Sequence, residues 1–90
     1  MAKVVMTAQV ENSSTWESAF RTHNDVVKTY GLQGPVEFTV SGNEIARCFD
    51  PTDTQKFLQI ITEPQTADAM KADGVKRDTL KVYVLDKTAY

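Results

Sequence analysis

Apolar and polar residues alternate from the start of the chain. Val4, Met6, Ala8 and Val10 share one parity, and Val5, Thr7 and Gln9 share the other. A period of two marks a strand with one buried face, and the loose alternation predicts a strand at or near a sheet edge. The period then changes. Trp16, Ala19, Phe20, His23, Val26, Val27 and Tyr30 recur at steps of three and four. That spacing predicts a helix to about Tyr30 with a single apolar stripe. Ser14-Thr15-Trp16-Glu17 has the arrangement of a capping box. The Ser14 hydroxyl can accept from the N–H of Glu17, while the Glu17 carboxylate reaches back to the N–H of Ser14. Gly31 supplies a left-handed stop.

Alternation resumes at residues 35–40, with Val36, Phe38 and Val40 against Glu37 and Thr39. Ser41-Gly42-Asn43 is a turn signal and residues 44–49 return, so a hairpin is predicted. Asp50-Pro51-Thr52-Asp53 ends it. Residues 56–62 are apolar on both strand faces, Phe57 and Ile61 against Leu58 and Ile60. Adjacent isoleucines followed by a threonine are poor helix formers, which favours a strand; a helix capped by Thr54 is the competing reading. After Pro64, Gln65 or Thr66 begins a short helix through Ala69, Met70 and Ala72. Gly74 ends that helix, with Val75 placed to fold back. Residues 80–85 form a last strand, with Leu80, Val82 and Val84 on one face and Tyr83 and Leu85 on the other.

The order β-α-β-β-(β)-α-β is the split βαβ pattern with one added strand. It predicts an α+β domain: a ferredoxin-like antiparallel sheet with two helices on one face. Two short helices cover only one face. The doubly apolar strands at residues 56–62 and 80–85 would then expose apolar surface on the other, which marks an interface and predicts a homodimer.

Composition narrows the classes without naming a chemistry. The chain has 90 residues, 41% of them apolar and 24% charged, with a net charge of −2. That length predicts one domain over residues 1–90, with an ordered core at about 3–86. A chain of this size buries about 60–65% of its unfolded surface, so a second subunit would help stability. No basic stripe supports nucleic-acid binding. No apolar run approaches a membrane span, and the N-terminal residues do not read as a signal peptide. Cys48 is the single cysteine, which excludes an internal disulfide and fits a reducing cytoplasm. Asn12-Ser13-Ser14 matches the glycosylation triplet, but without a secretory signal it reads as chance.

The layout resembles the dimeric α+β barrel superfamily, which includes antibiotic-biosynthesis-monooxygenase-like proteins, stress-responsive barrel proteins and many short bacterial families. The matching features are a first strand leading into a helix with Trp16 in its first turn, a strand ending in Phe49-Asp50-Pro51, and the run Phe57-Leu58-Gln59-Ile60-Ile61. A short helix ending in Met70-Lys71-Ala72-Asp73-Gly74-Val75 and a closing strand complete them. The resemblance covers residues 3–85. It implies a barrel formed by two sheets packed face to face across a dimer, with pockets between sheet and helices. Its activities range from cofactor-independent oxygenation of aromatic polyketides to haem degradation and isomerisation, so the fold does not fix the function. Haem-degrading relatives carry a ligand histidine on a later helix, whereas His23 lies on the first, and that role does not transfer.

The candidate residues each carry two readings. His23, inside the apolar stripe, is either a proton donor or acceptor in a pocket or a buried histidine bonded to a carbonyl. Arg47 shares a strand face with Ile45 and Phe49. It either clamps an anion bidentately or pairs across a dimer with Glu44, Asp50 or Asp53. Trp16, Phe20, Tyr30 and Tyr83 either line a ligand pocket or are plain core. Cys48 reads as a buried or edge thiol rather than a nucleophile. No metal or cofactor motif is present, and no phosphate loop or nucleophile elbow. The leading expectation is a small-molecule-binding or accessory protein with a small hydrophobic or aromatic ligand. The alternatives are a cofactor-independent monooxygenase-like enzyme with His23 as base, and a purely structural interaction protein.

Overall fold

The apolar side of the first strand decides the architecture. Val4, Met6, Ala8 and Val10 of β1 (Lys3–Val10) are all between 0% and 2% exposed. A strand buried so completely needs neighbours on both edges, and β1 has them. The computed structural model describes residues 3–22 and 31–89. In it, β2 (Glu37–Ser41), β3 (Glu44–Phe49), β1 and β4 (Val75–Leu85) form one antiparallel sheet in the order β2-β3-β1-β4. β1 is therefore an interior strand, one in from the edge strand β4, the near-edge place that its alternation allowed. With helices α1 (Ser13–Arg21), α2 (Thr54–Ile61) and α3 (Pro64–Ala72), this is the ferredoxin-like α+β arrangement expected from the sequence.

The helices differ in detail from the expectations. α1 starts one residue ahead of Ser14, and its N-cap is Asn12, whose Oδ1 accepts from the N–H of Thr15 at 3.0 Å. The helix reaches its C-cap at Thr22, short of Tyr30. The Thr22 hydroxyl donates to the Ala19 carbonyl at 2.7 Å, so a side chain competes with the backbone ladder there. His23, Val26, Val27 and Tyr30 lie outside the described residues.

Residues 56–62 are not a strand. They belong to α2, capped by Asp53, whose Oδ1 accepts from the N–H of Lys56 at 3.1 Å. The cap and the i,i+4 pair Phe57 and Ile61, 1% and 5% exposed, outweigh the weak helix propensity of two isoleucines. Pro64 opens α3, where its missing N–H costs nothing. The buried Thr66 hydroxyl donates to the Ile60 carbonyl at 2.7 Å and ties α3 to α2.

The β2–β3 hairpin turns through Gly42 and Asn43, with Ser41 paired to Glu44. Gly42 has φ +62°, and no residue other than glycine has positive φ among those described. One positive φ at the first turn position is the II′ pattern, which suits strand twist. Gly74, at φ +82°, ends α3 and turns the chain into β4.

β4 begins at Val75, earlier than expected, and is irregular. Gln9 pairs with Lys76, but Thr7 pairs with Lys81, so Arg77, Asp78, Thr79 and Leu80 bulge opposite Ala8. The Thr79 hydroxyl fastens this bulge: it accepts from the N–H of Gln9 at 2.9 Å and donates to the Lys76 carbonyl at 2.6 Å. Beyond it, Val82 and Val84 stand opposite Met6 and Val4, while Tyr83 stands opposite Val5. With residues 56–62 in a helix, the large exposed apolar side chains on both sides of the sheet are those of β4: Val82 and Val84 on one, Tyr83 and Leu85 on the other.

Candidate functional site

The covered face of the sheet is apolar with one exception. Phe38, Arg47, Met6 and Val82 form one row across the four strands. Arg47 is 6% exposed, and it shares its strand face with Ile45 and Phe49, 0% and 4% exposed. Alternation along β3 leaves its side chain no outward direction, so the guanidinium goes under the helices.

α1 delivers Trp16 and Phe20 from one side. Their rings stack with centroids 4.8 Å apart, and both meet Phe38 edge-on, at 5.6 and 5.4 Å. α2 delivers Phe57 against Phe49 at 5.2 Å. The Arg47 Cζ lies 6.0 Å from the Trp16 ring centroid and 5.8 Å from that of Phe49. A cation between two aromatic rings is held by their quadrupoles.

These side chains border a cavity of about 60 Å³, closed on the far side by Thr66, Met70 and Asp73 of the α3 region. One water needs about 10–15 Å³ of such volume, so the space suits a few small atoms and is far below that of a drug-sized pocket. Chemically, it brings together the Arg47 guanidinium, the Asp73 carboxylate and aromatic walls. It can hold an anionic head group or stabilise negative charge that develops on one.

The sequence-predicted residues divide three ways. Trp16, Phe20 and Arg47 come together at this cavity. Tyr83 does not join them: its register opposite Val5 puts it on the other face of the sheet, 50% exposed. His23 and Tyr30 lie outside the described residues. Sequence reasoning missed Phe57, Ile61, Thr66 and Asp73 as cavity-lining residues, the first two because residues 56–62 were expected as a strand. Asp53 followed three residues later by Lys56, with Phe57 and Ile61 four apart, was the available signal. Among the described residues, no group of three or more His, Cys, Asp or Glu is placed to hold a metal ion. Among the described residues, no helix is long and apolar enough to cross a membrane.

No protein-family profile matches this chain, and no curated protein matches it. Solved structures do. One, described as an antibiotic biosynthesis monooxygenase, superposes with a TM-score of 0.67 at 10% identity, over 99% of this chain and all of that one. A candidate antibiotic biosynthesis monooxygenase from Deinococcus radiodurans gives a TM-score of 0.61 at 11% identity, over 100% of this chain and 95% of that one. At such identity the likeness is one of fold. The fold shared with them is the ferredoxin-like α+β fold, as the sequence resemblance implied.

Proposed function

We propose that this chain is a homodimeric small-molecule-binding protein whose site is the cavity beneath α1, and whose ligand carries a compact anionic group on an aromatic or hydrophobic body. The observation that carries this reading is Arg47, a guanidinium 6% exposed on an otherwise apolar face, between the rings of Trp16 and Phe49. Arginine keeps its charge when buried and pairs with planar oxyanions through two parallel bonds. The cavity volume fits the head group alone, which argues against a ligand wholly enclosed there. Dimerisation through the open sheet face is part of the reading, supported by the exposed apolar end of β4.

The test is titration with benzoate and 4-hydroxybenzoate, followed by calorimetry and thermal shift. The wild-type chain should bind at least one of them. Arg47→Lys keeps the charge but loses the fork, and should weaken binding about tenfold, the size of one lost charge-assisted bond. Arg47→Met should abolish it. Equal affinity in Arg47→Met would remove the proposal.

The names of the two fold neighbours favour a second reading, cofactor-independent oxygenation. Arg47 would then stabilise an enolate or phenolate formed from the bound aromatic. Oxygen uptake on adding an electron-rich phenol such as a hydroquinone, above the uncatalysed rate and lost in Arg47→Met, separates catalysis from binding.

A further inference from the structure

The cavity beneath α1 carries side-chain charge of both signs. Arg47 reaches it from the sheet, and α3 brings a carboxylate to it. Thr66, Ala69, Met70 and Asp73 follow one another at steps of three and four and all line the cavity, so α3 lays a single face along it. Asp73 stands at the C-cap, just past the last turn. Its N–H donates to the Ala69 and Met70 carbonyls at 3.2 and 3.1 Å. The C-terminal end of a helix carries partial negative charge, so the helix end and the Asp73 carboxylate favour a cation at the same place. Thr66 adds nothing to the positive side, because its hydroxyl proton is committed to the Ile60 carbonyl at 2.7 Å.

Charge narrows the ligand. Arg47 and Asp73 bring one charge of each sign. A simple anion added to them leaves one negative charge in excess, in a space walled by Trp16, Phe57 and Met70 where water screens little. A head group that carries both signs adds none. Arg47 and Asp73 each have other interactions in the fold, so a ligand of one sign favours one of them at the expense of the other. A zwitterion gives each an opposite partner.

Volume limits how far apart the ligand's two charges lie. At 10–15 Å³ for each water-sized atom, about 60 Å³ holds roughly four to six. A carboxylate uses three of them, and the rest suffices for one carbon and one nitrogen. We infer that the head group is an α-amino acid, with its carboxylate on the Arg47 guanidinium, its ammonium on the Asp73 carboxylate at the end of α3, and an aromatic or hydrophobic side chain leading out of the cavity. Asp73 then selects amino acids over plain acids. This inference rests on the cavity beneath α1 as the ligand site and narrows the ligand proposed for it.

Three probes with one phenyl ring separate the charges. L-Phenylalanine carries both, 3-phenylpropanoate only the carboxylate, and 2-phenylethylamine only the ammonium. In calorimetric titration of the wild-type chain at neutral pH, phenylalanine should bind about tenfold tighter than either, the worth of one charge-assisted bond. That comparison needs no variant, so it does not depend on any substitution folding. Asp73→Asn keeps the shape of the side chain and a residue suited to a helix end. It should weaken phenylalanine about tenfold and tighten 3-phenylpropanoate, which inverts the preference. Arg47→Met should weaken both carboxylates and leave phenylethylamine unweakened.

Phenylpropanoate binding as tightly as phenylalanine would overturn the zwitterion and leave the anion site standing. An Asp73→Asn variant that still prefers phenylalanine by the wild-type margin would overturn the role of Asp73. Binding of none of the three, while benzoate or 4-hydroxybenzoate binds and is lost in Arg47→Met, would overturn this inference alone. Binding of none of the five would overturn the ligand reading with it.

Discussion

The two faces of this sheet are built from the same four strands and obey opposite rules. Beneath the helices, Val4, Met6, Ala8, Val10, Ile45 and Phe49 exclude water almost completely, and the one charge among them, Arg47, is the anomaly. On the other face Glu37, Glu44, Lys76 and Lys81 are ordinary, and the anomaly is apolar: Tyr83 and Leu85 at the edge. A buried charge in an apolar layer carries a desolvation cost that its surroundings must offset, and an exposed aromatic in a polar layer leaves apolar surface in water.

Deleting an aromatic from the covered face should have the largest effect. Phe57→Ala empties the space against Phe49 and should cost about 3–5 kcal/mol in urea unfolding. Asp53→Ala removes the cap that holds α2 over that face and should cost about 1 kcal/mol. Thr79→Val strips the fastener of the β4 bulge and should also cost about 1 kcal/mol or slightly less, with faster hydrogen exchange at the Gln9 amide. Tyr83→Ala, an aromatic deletion on the open face, should change unfolding of the dilute monomer by about 0.5 kcal/mol or less. If Tyr83→Ala cost as much as Phe57→Ala under those conditions, the two faces would not be distinct environments.

Much of this division is visible in the sequence, because a period of two assigns each strand residue to a side without further information. The β1 face, the hairpin with Gly42 and the stop at Gly74 all follow from spacing. The reading failed where local preference met tertiary packing. Ile60-Ile61-Thr62 favours a strand by propensity, yet burial of Phe57 and Ile61 on one helical stripe prevails. The sides taken by Tyr83 and Arg47 needed the register, which strand pairing across residues far apart in sequence sets.

The β4 bulge has a consequence for how such a chain can diverge. The ladder runs Gln9 with Lys76 and then Thr7 with Lys81, so four residues occupy the length of one, an offset of three. Three is odd, and an odd offset turns a strand over. Drawn out into a regular ladder, β4 would set Lys81 beside Val4 in the dry interior and leave Leu80 beside Val5 outside. The segment Lys81-Val82-Tyr83-Val84-Leu85 is apolar on both sides and does not itself choose between these placements. The choice belongs to the length of the loop before it. Insertions or deletions at residues 77–80 must therefore be taken up inside the bulge or come in pairs, or the chain turns the other side of its last strand toward the helices.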